Sequence, residues 1–257
     1  MSEPFAARRR SPLDAVRSIG RALVFLGQAL SRMRFSRSQL GETLRQTYFI
    51  GVRSLVIIIT GGFFVGLVLT LQTYDTLTRF GAGDAVGTVL ALSLFRELGP
   101  VLTAILFAGR AGTSVTAEIG LMKATEQLDA LELMAIDPME RIVQPRLLAG
   151  LIAVPVLTLI FNFMALAGGV LYGVFLMGID PNVFWGSMQN SVELGRDFGA
   201  GVAKSAAFGA LAAWLAVYFG WTCKPTGEGV ALATTQTVIA TAISVLLLDF
   251  VLSALML

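Results

Sequence analysis

The chain has 257 residues, 55 % of them hydrophobic and only 14 % charged, with 19 Lys+Arg, 17 Asp+Glu and no His. About 25 % charge is usual in a soluble domain, so an ordinary cytosolic enzyme is excluded and a membrane-embedded chain is indicated. Lack of His removes most zinc sites, His-based triads and His proton relays. One cysteine, Cys223, excludes an internal disulfide and a Cys metal cluster.

Residues 1–53 form a basic N-terminal region. They hold ten Arg against Glu3, Asp14 and Glu42, a net +7. The opening MSEPFAARRR is polar and no short apolar core follows it, so insertion is expected to rely on internal spans rather than a cleaved signal peptide. Ser11, Pro12 and Asp14 read as a helix start. Leu13, Val16, Ile19, Leu23, Leu26, Leu30 and Met33 then recur at spacings of three and four. At about 100° per residue, Arg10, Arg17, Arg21 and Arg32 fall together on the opposite side. This pattern suits a basic amphipathic helix lying in the membrane interface. A solvated helix packed on protein is the alternative.

Residues 54–257 read as an all-α domain of five spans, at roughly 54–76, 86–110, 147–176, 198–221 and 229–253. Lys and Arg in the connections set the orientation. The first 53 residues are expected to be cytoplasmic. Loop 75–85 holds only Arg79, loop 110–146 holds Arg110, Lys123, Arg141 and Arg146, and loop 177–197 holds only Arg196. Loop 222–228 has only Lys224 and decides nothing; the C-terminus then falls outside. Gly62 and Gly66, Ala108 and Gly112, Gly169 and Gly173, and Ser205 and Gly209 are each four apart. This spacing lets helix backbones approach closely.

Four ionisable residues interrupt the apolar stretches: Arg96, Glu97, Lys204 and Asp249. Each costs at least a few kcal/mol at bilayer depth unless paired or hydrated. Spans four and five run antiparallel, so Lys204 and Asp249 are expected to meet as an ion pair in the outer third. Arg96 and Glu97 diverge by about 100° and need different partners. Pro100 follows at once and is expected to kink or break the span. The residues alone leave a transport site and a fixed scaffold equally open.

Residues 116–135 have strong helix-forming composition, with Glu118, Glu126, Asp129 and Glu132 on one broad arc. Asp137-Pro138 ends this helix and Pro145 precedes the third span. An acidic face with Leu and Met beside it suits docking on a soluble partner; a solvated connecting helix is the alternative. No G-x-x-x-x-G-K-[ST], no G-x-G-x-x-G and no metal cluster occurs in the sequence. If ATP drives this chain, another subunit must supply it. No nucleic-acid partner is expected.

The stretch AEIGLMKATEQLDALELMAIDP (117–138), preceded by LFRELGPVLTAILFAGRAG (94–112), resembles the MlaE-type permease family. These are membrane subunits of ABC complexes that carry phospholipid between the two membranes of Gram-negative bacteria. The resemblance extends along nearly the whole chain. It implies a non-enzymatic homodimer in the inner membrane, with no cofactor in this chain. A coupling helix at about 117–136 would dock an ATP-binding cassette ATPase through Glu118, Lys123, Glu126, Asp129 and Glu132. ATP and Mg would be held by that ATPase. A small STAS-domain protein and a periplasmic hexamer of MCE-domain subunits are the further partners implied. Phospholipid would lie in an outward-facing cavity between two copies, with Glu97 lining it. Arg96 and Lys204 can offer positive charge to a phosphate, and Leu69, Leu77 and Leu98 are candidates for walls around the acyl chains. An ion-driven secondary transporter using the four intramembrane charges, and a pure scaffold, are the competing readings. A membrane enzyme has least support.

Overall fold

A computed structural model describes residues 12–32 and 37–256, and every regular element among them is helical. The helices are α1 (Pro12–Ser31), α2 (Arg37–Arg79), α3 (Val86–Ser93), α4 (Gly99–Phe107), α5 (Thr113–Ala124), α6 (Gln127–Leu133), α7 (Gln144–Val170), α8 (Pro181–Ser191), α9 (Gly199–Thr222) and α10 (Gly227–Met256). Wider π-helical turns join α3 to α4 at Leu94–Leu98 and α4 to α5 at Ala108–Gly112.

Five continuous helical stretches are long and apolar enough to cross a membrane: Gln39–Arg79, Gly83–Ala124, Met139–Leu176, Gly195–Thr222 and Gly227–Leu255. The spans expected from the sequence fall inside them, but the first two helices run much further. Gly83–Ala124 has 42 residues, about 63 Å at 1.5 Å per residue, against a hydrocarbon core of about 30 Å. The N-terminal part of α2 and all of α5 therefore stand beyond the apolar layer. We call this the arginine-rich end.

The third and fourth spans form the centre, and the fifth is peripheral, with 11 % of its apolar window buried. The main seam joins α2 to α7. A Cβ at Gly62 would come within 2.6 Å of the Phe161 carbonyl oxygen, and one at Gly66 would collide with that of Ala165. Only glycine lets these backbones meet, which replaces the hydrophobic drive missing in lipid. At the arginine-rich end, Thr116 Oγ1 donates to the Ala216 carbonyl at 2.9 Å and lies 2.8 Å from Thr237 Oγ1. Those contacts tie α5, α9 and α10 together.

Three sequence expectations change. Residues 117–136 are not one helix. The second span continues as α5 to Ala124, the chain turns through Glu126 at φ 58°, and seven-residue α6 follows. The turn seats Leu128 in the core, a tertiary gain that composition does not reveal. The connection 177–197 is not a plain loop, because it contains α8. Asp180 Oδ1 accepts from Asn182 N at 2.7 Å, Pro181 opens the helix, and Phe184 and Met188 are buried. Third, of the kink or break expected at Pro100 the break does not occur: the second span widens into the turn at Leu94–Leu98 and continues.

α1 leans on α9. Ala22, Phe25 and Ala29 are buried, the Phe25 ring packs against Tyr218 and Trp221, and Trp214 Nε1 donates to the Ala22 carbonyl. Leu23 and Leu30, from the apolar stripe read in the sequence, face outward. The buried stripe thus lies about 100° from the leucine stripe. The cap at Ser11, together with Arg10 and Met33, falls outside the described residues, and the side chains of Leu13, Val16, Arg17 and Ile19 are likewise not described.

Candidate functional site

The site begins at Pro100. Without an N–H it cannot close the α-helical bond to the carbonyl of Arg96. The helix widens there, and a buried Lys204 Nζ donates to that oxygen at 3.0 Å. The same ammonium lies 3.2 Å from Asp249 Oδ1 and 2.7 Å from Ser253 Oγ. Lysine has three N–H donors, so all are used inside the bundle. In this conformation Lys204 offers none to a phosphate, and its work is to join α9, α10 and the widened turn.

Arg96 is held differently. Its Nε donates to Asp197 Oδ1 at 2.8 Å, and Nη2 is 2.7 Å from the same oxygen. Asp197 Oδ2 accepts from the Glu193 backbone N at 2.9 Å. The carboxylate is 2 % exposed and the arginine side chain 45 %. A buried anion thus grips one edge of the guanidinium and leaves at least three of its five N–H groups for a ligand. Sequence reasoning missed Asp197. It stands in a polar stretch, ELGRDF, that read as a connection, and only its position opposite Arg96 reveals it.

Glu97, next to Arg96, is exposed, and no cation among the described residues lies within 4 Å of it. Leu69, Leu77 and Leu98 are half-buried. Leu69 and Leu77 pack on the core from the first span. Gly201 of α9 lies against the Phe95 carbonyl, and Phe95 and Phe198 rings meet edge to face at 6.0 Å. These contacts fix the turn that presents Arg96.

At the arginine-rich end of the bundle, Glu118 Oε2 accepts from the buried Arg146 at 3.2 Å. Lys123 turns inward, its Nζ donating to the carbonyls of Trp221 at 2.7 Å and Cys223 at 3.1 Å. A cation at the C-terminal carbonyls of α9 is favourably placed. Glu126 forms the turn, and Asp129 and Glu132 stand exposed on α6 beside Leu133, 90 % exposed, and Met134. The sequence-predicted set at 118–132 therefore divides. Two members bind the bundle, one makes the turn and two face outward.

Fold and site together define a multi-pass α-helical membrane protein whose buried charges gather at a widened turn of the second span. The family model described as Permease MlaE matches residues 43–255. The intermembrane phospholipid transport system permease protein MlaE of Haemophilus influenzae is 46 % identical over 251 residues, 98 % of this chain and 96 % of that protein. A probable ABC transporter permease protein of Synechocystis sp. is 37 % identical, covering 91 % of this chain and 89 % of its own length. The chloroplastic protein TRIGALACTOSYLDIACYLGLYCEROL 1 of Arabidopsis thaliana is 32 % identical over 90 % of this chain and 66 % of its own length. The chain belongs to the MlaE permease family.

Proposed function

We propose that this chain is the membrane permease subunit of an ABC complex in the bacterial inner membrane, moving phospholipid between the inner and outer membranes. The family and the name of the Haemophilus relative support the substrate. The observation that carries the site is Arg96, half exposed and aimed by a buried Asp197. In this reading two copies enclose the lipid in a cavity open to the periplasm, Arg96 engages the phosphate and Glu97 meets the head group. Leu69, Leu77 and Leu98 flank the acyl chains. The chain itself performs no chemistry. ATP and Mg belong to a partner ATPase, docked on α6 through Asp129, Glu132, Leu133 and Met134. A STAS-domain protein and an MCE-domain hexamer complete the complex. The ten Arg of residues 1–53 support a cytoplasmic N-terminus, and five spans then put the C-terminus in the periplasm in this reading.

The test is purification of the tagged chain from mildly solubilised native membranes, with mass spectrometry of retained proteins and lipids. An ATPase and an MCE-domain protein in fixed ratio, with phospholipid lost in Arg96→Ala, is the expected result. A chain retained alone, or one that holds phospholipid equally well in Arg96→Ala, overturns the reading.

A further inference from the structure

A cavity of about 630 Å³ lies at the end of the bundle remote from Lys204 and Asp249. It opens between α2, α5, α6 and the start of the third span. Five arginines line it: Arg45 and Arg53 from α2, Arg110 from the second span, and Arg141 and Arg146 from the third. Only Glu42 and Glu118 oppose them. Glu118 is committed to Arg146 at 3.2 Å, and Glu42 lies 4.0 Å from Arg45. No carboxylate among the described residues lies within 4 Å of Arg53, Arg110 or Arg141. Three cations thus converge on one cavity without a counter-charge, a repulsive arrangement that an anion would relieve.

Depth narrows the anion. Arg53 is the last charge before the charge-free run 54–74, and Arg110 closes the charge-free run 98–109. The cavity therefore sits at the boundary between hydrocarbon and water, where lipid phosphates lie. The Phe49 ring stacks under Arg45 at 5.8 Å and Arg53 at 5.0 Å, holding both heads at that level. Beside the opening, Val52 and Val56 of α2 face outward and offer an apolar wall to acyl chains. Basic pockets between spans are a general means of holding lipid head groups, and arginine forks match phosphate oxygens.

We propose that this cavity binds the phosphate of an anionic phospholipid from the leaflet at the arginine-rich end, at a site separate from Arg96. Leu131 of α6 and Met134 just after it line the same cavity, so the bound head group braces α6 against α2 and α5. The inference stands whether or not Arg96 binds transported lipid.

The test uses the full chain in nanodiscs of phosphatidylcholine and phosphatidylglycerol at roughly four to one, an anionic surface of ordinary density. Native mass spectrometry then reads the lipid that stays bound. Wild type is expected to retain phosphatidylglycerol over phosphatidylcholine. Arg53→Gln/Arg141→Gln is expected to lower that preference about tenfold, while Arg79→Gln, exposed at the opposite end of α2, leaves it unchanged. Both changed arginines are exposed and without a carboxylate partner, so folding is expected to survive. Arg110→Gln alone, with a smaller loss, provides a second reading. Equal preference in wild type and double variant overturns the proposal. So does saturation by inorganic phosphate in phosphatidylcholine-only nanodiscs, which would mark a free-phosphate site. A double variant that keeps the lipid but loses a bound ATPase subunit would assign the arginines to protein docking, and also overturns it.

Discussion

Lys204 Nζ stands 3.0 Å from the carbonyl oxygen of Arg96, the acceptor that Pro100 leaves without its helical donor. One buried ammonium thus repairs a gap in the second span and binds the fifth span through Asp249 and Ser253. Lys204→Met removes all three bonds and strands a largely buried carboxylate, an expected loss of about 3–5 kcal/mol. Asp249→Asn is expected to cost less, because two acceptors of Lys204 remain. The double variant should lose clearly less than the sum. Unfolding in detergent reads all three, and additive losses would refute the coupling. Pro100→Ala restores the donor, so Lys204→Met should be milder in that background.

Asp197 positions Arg96 without facing the open surface. Asp197→Asn keeps the shape but removes the anion. Phospholipid co-purifying with the chain is expected to fall as far as in Arg96→Ala, with helical content unchanged by circular dichroism. Retention at the wild-type level would show that Arg96 needs no such anchor.

The α2–α7 seam admits no side chain at Gly66. Gly66→Ala drives a methyl into the Ala165 carbonyl, and overpacking of this kind costs about 1–3 kcal/mol. Gly51→Ala meets nothing within 4 Å and, by helix propensity, should be neutral or slightly stabilising. Thermal unfolding of the two variants side by side checks the contrast, and equal midpoints would contradict it.

Glu126 holds a left-handed backbone at φ 58° without being glycine, a conformation that costs a residue bearing a Cβ about 1–2 kcal/mol. Glu126→Gly is expected to raise the unfolding midpoint and leave α6 in place. A lowered midpoint would mean that the Glu126 side chain stabilises the turn more than its backbone strains it.

Cys223 follows the end of α9 and is buried. Burial pushes its thiol above the ordinary value, partly offset by the Lys123 ammonium, and the thiol donates to the Gly220 carbonyl. A raised pKa means less thiolate than an exposed cysteine at any pH below it, and thiolate is the reactive form. Maleimide labelling of the folded chain near neutral pH is expected to be slow, rising with pH and becoming complete on denaturation. Rapid labelling at neutral pH would contradict the burial.

Four of the five spans were legible because lipid demands long charge-free runs, and 54–74, 147–179, 205–223 and 229–248 have them, while the second was legible from the apolar runs that flank Arg96 and Glu97. Lys204 and Asp249 were legible as a pair because buried charges need partners and antiparallel neighbours bring equal depths together. What the sequence by itself could not determine was contact between segments of different character. Asp197 lies in a polar connection, and only the packing of α9 against the widened turn brings it under Arg96. No glycine or proline marks Glu126, so the turn before α6 follows from burying Leu128, a gain that exists only once the bundle does. The same packing turns Lys123 inward onto α9 and gathers five arginines, from Arg45 to Arg146, around one cavity. Composition and periodicity report what each segment demands of its solvent. Tertiary structure alone decided which segment met each demand.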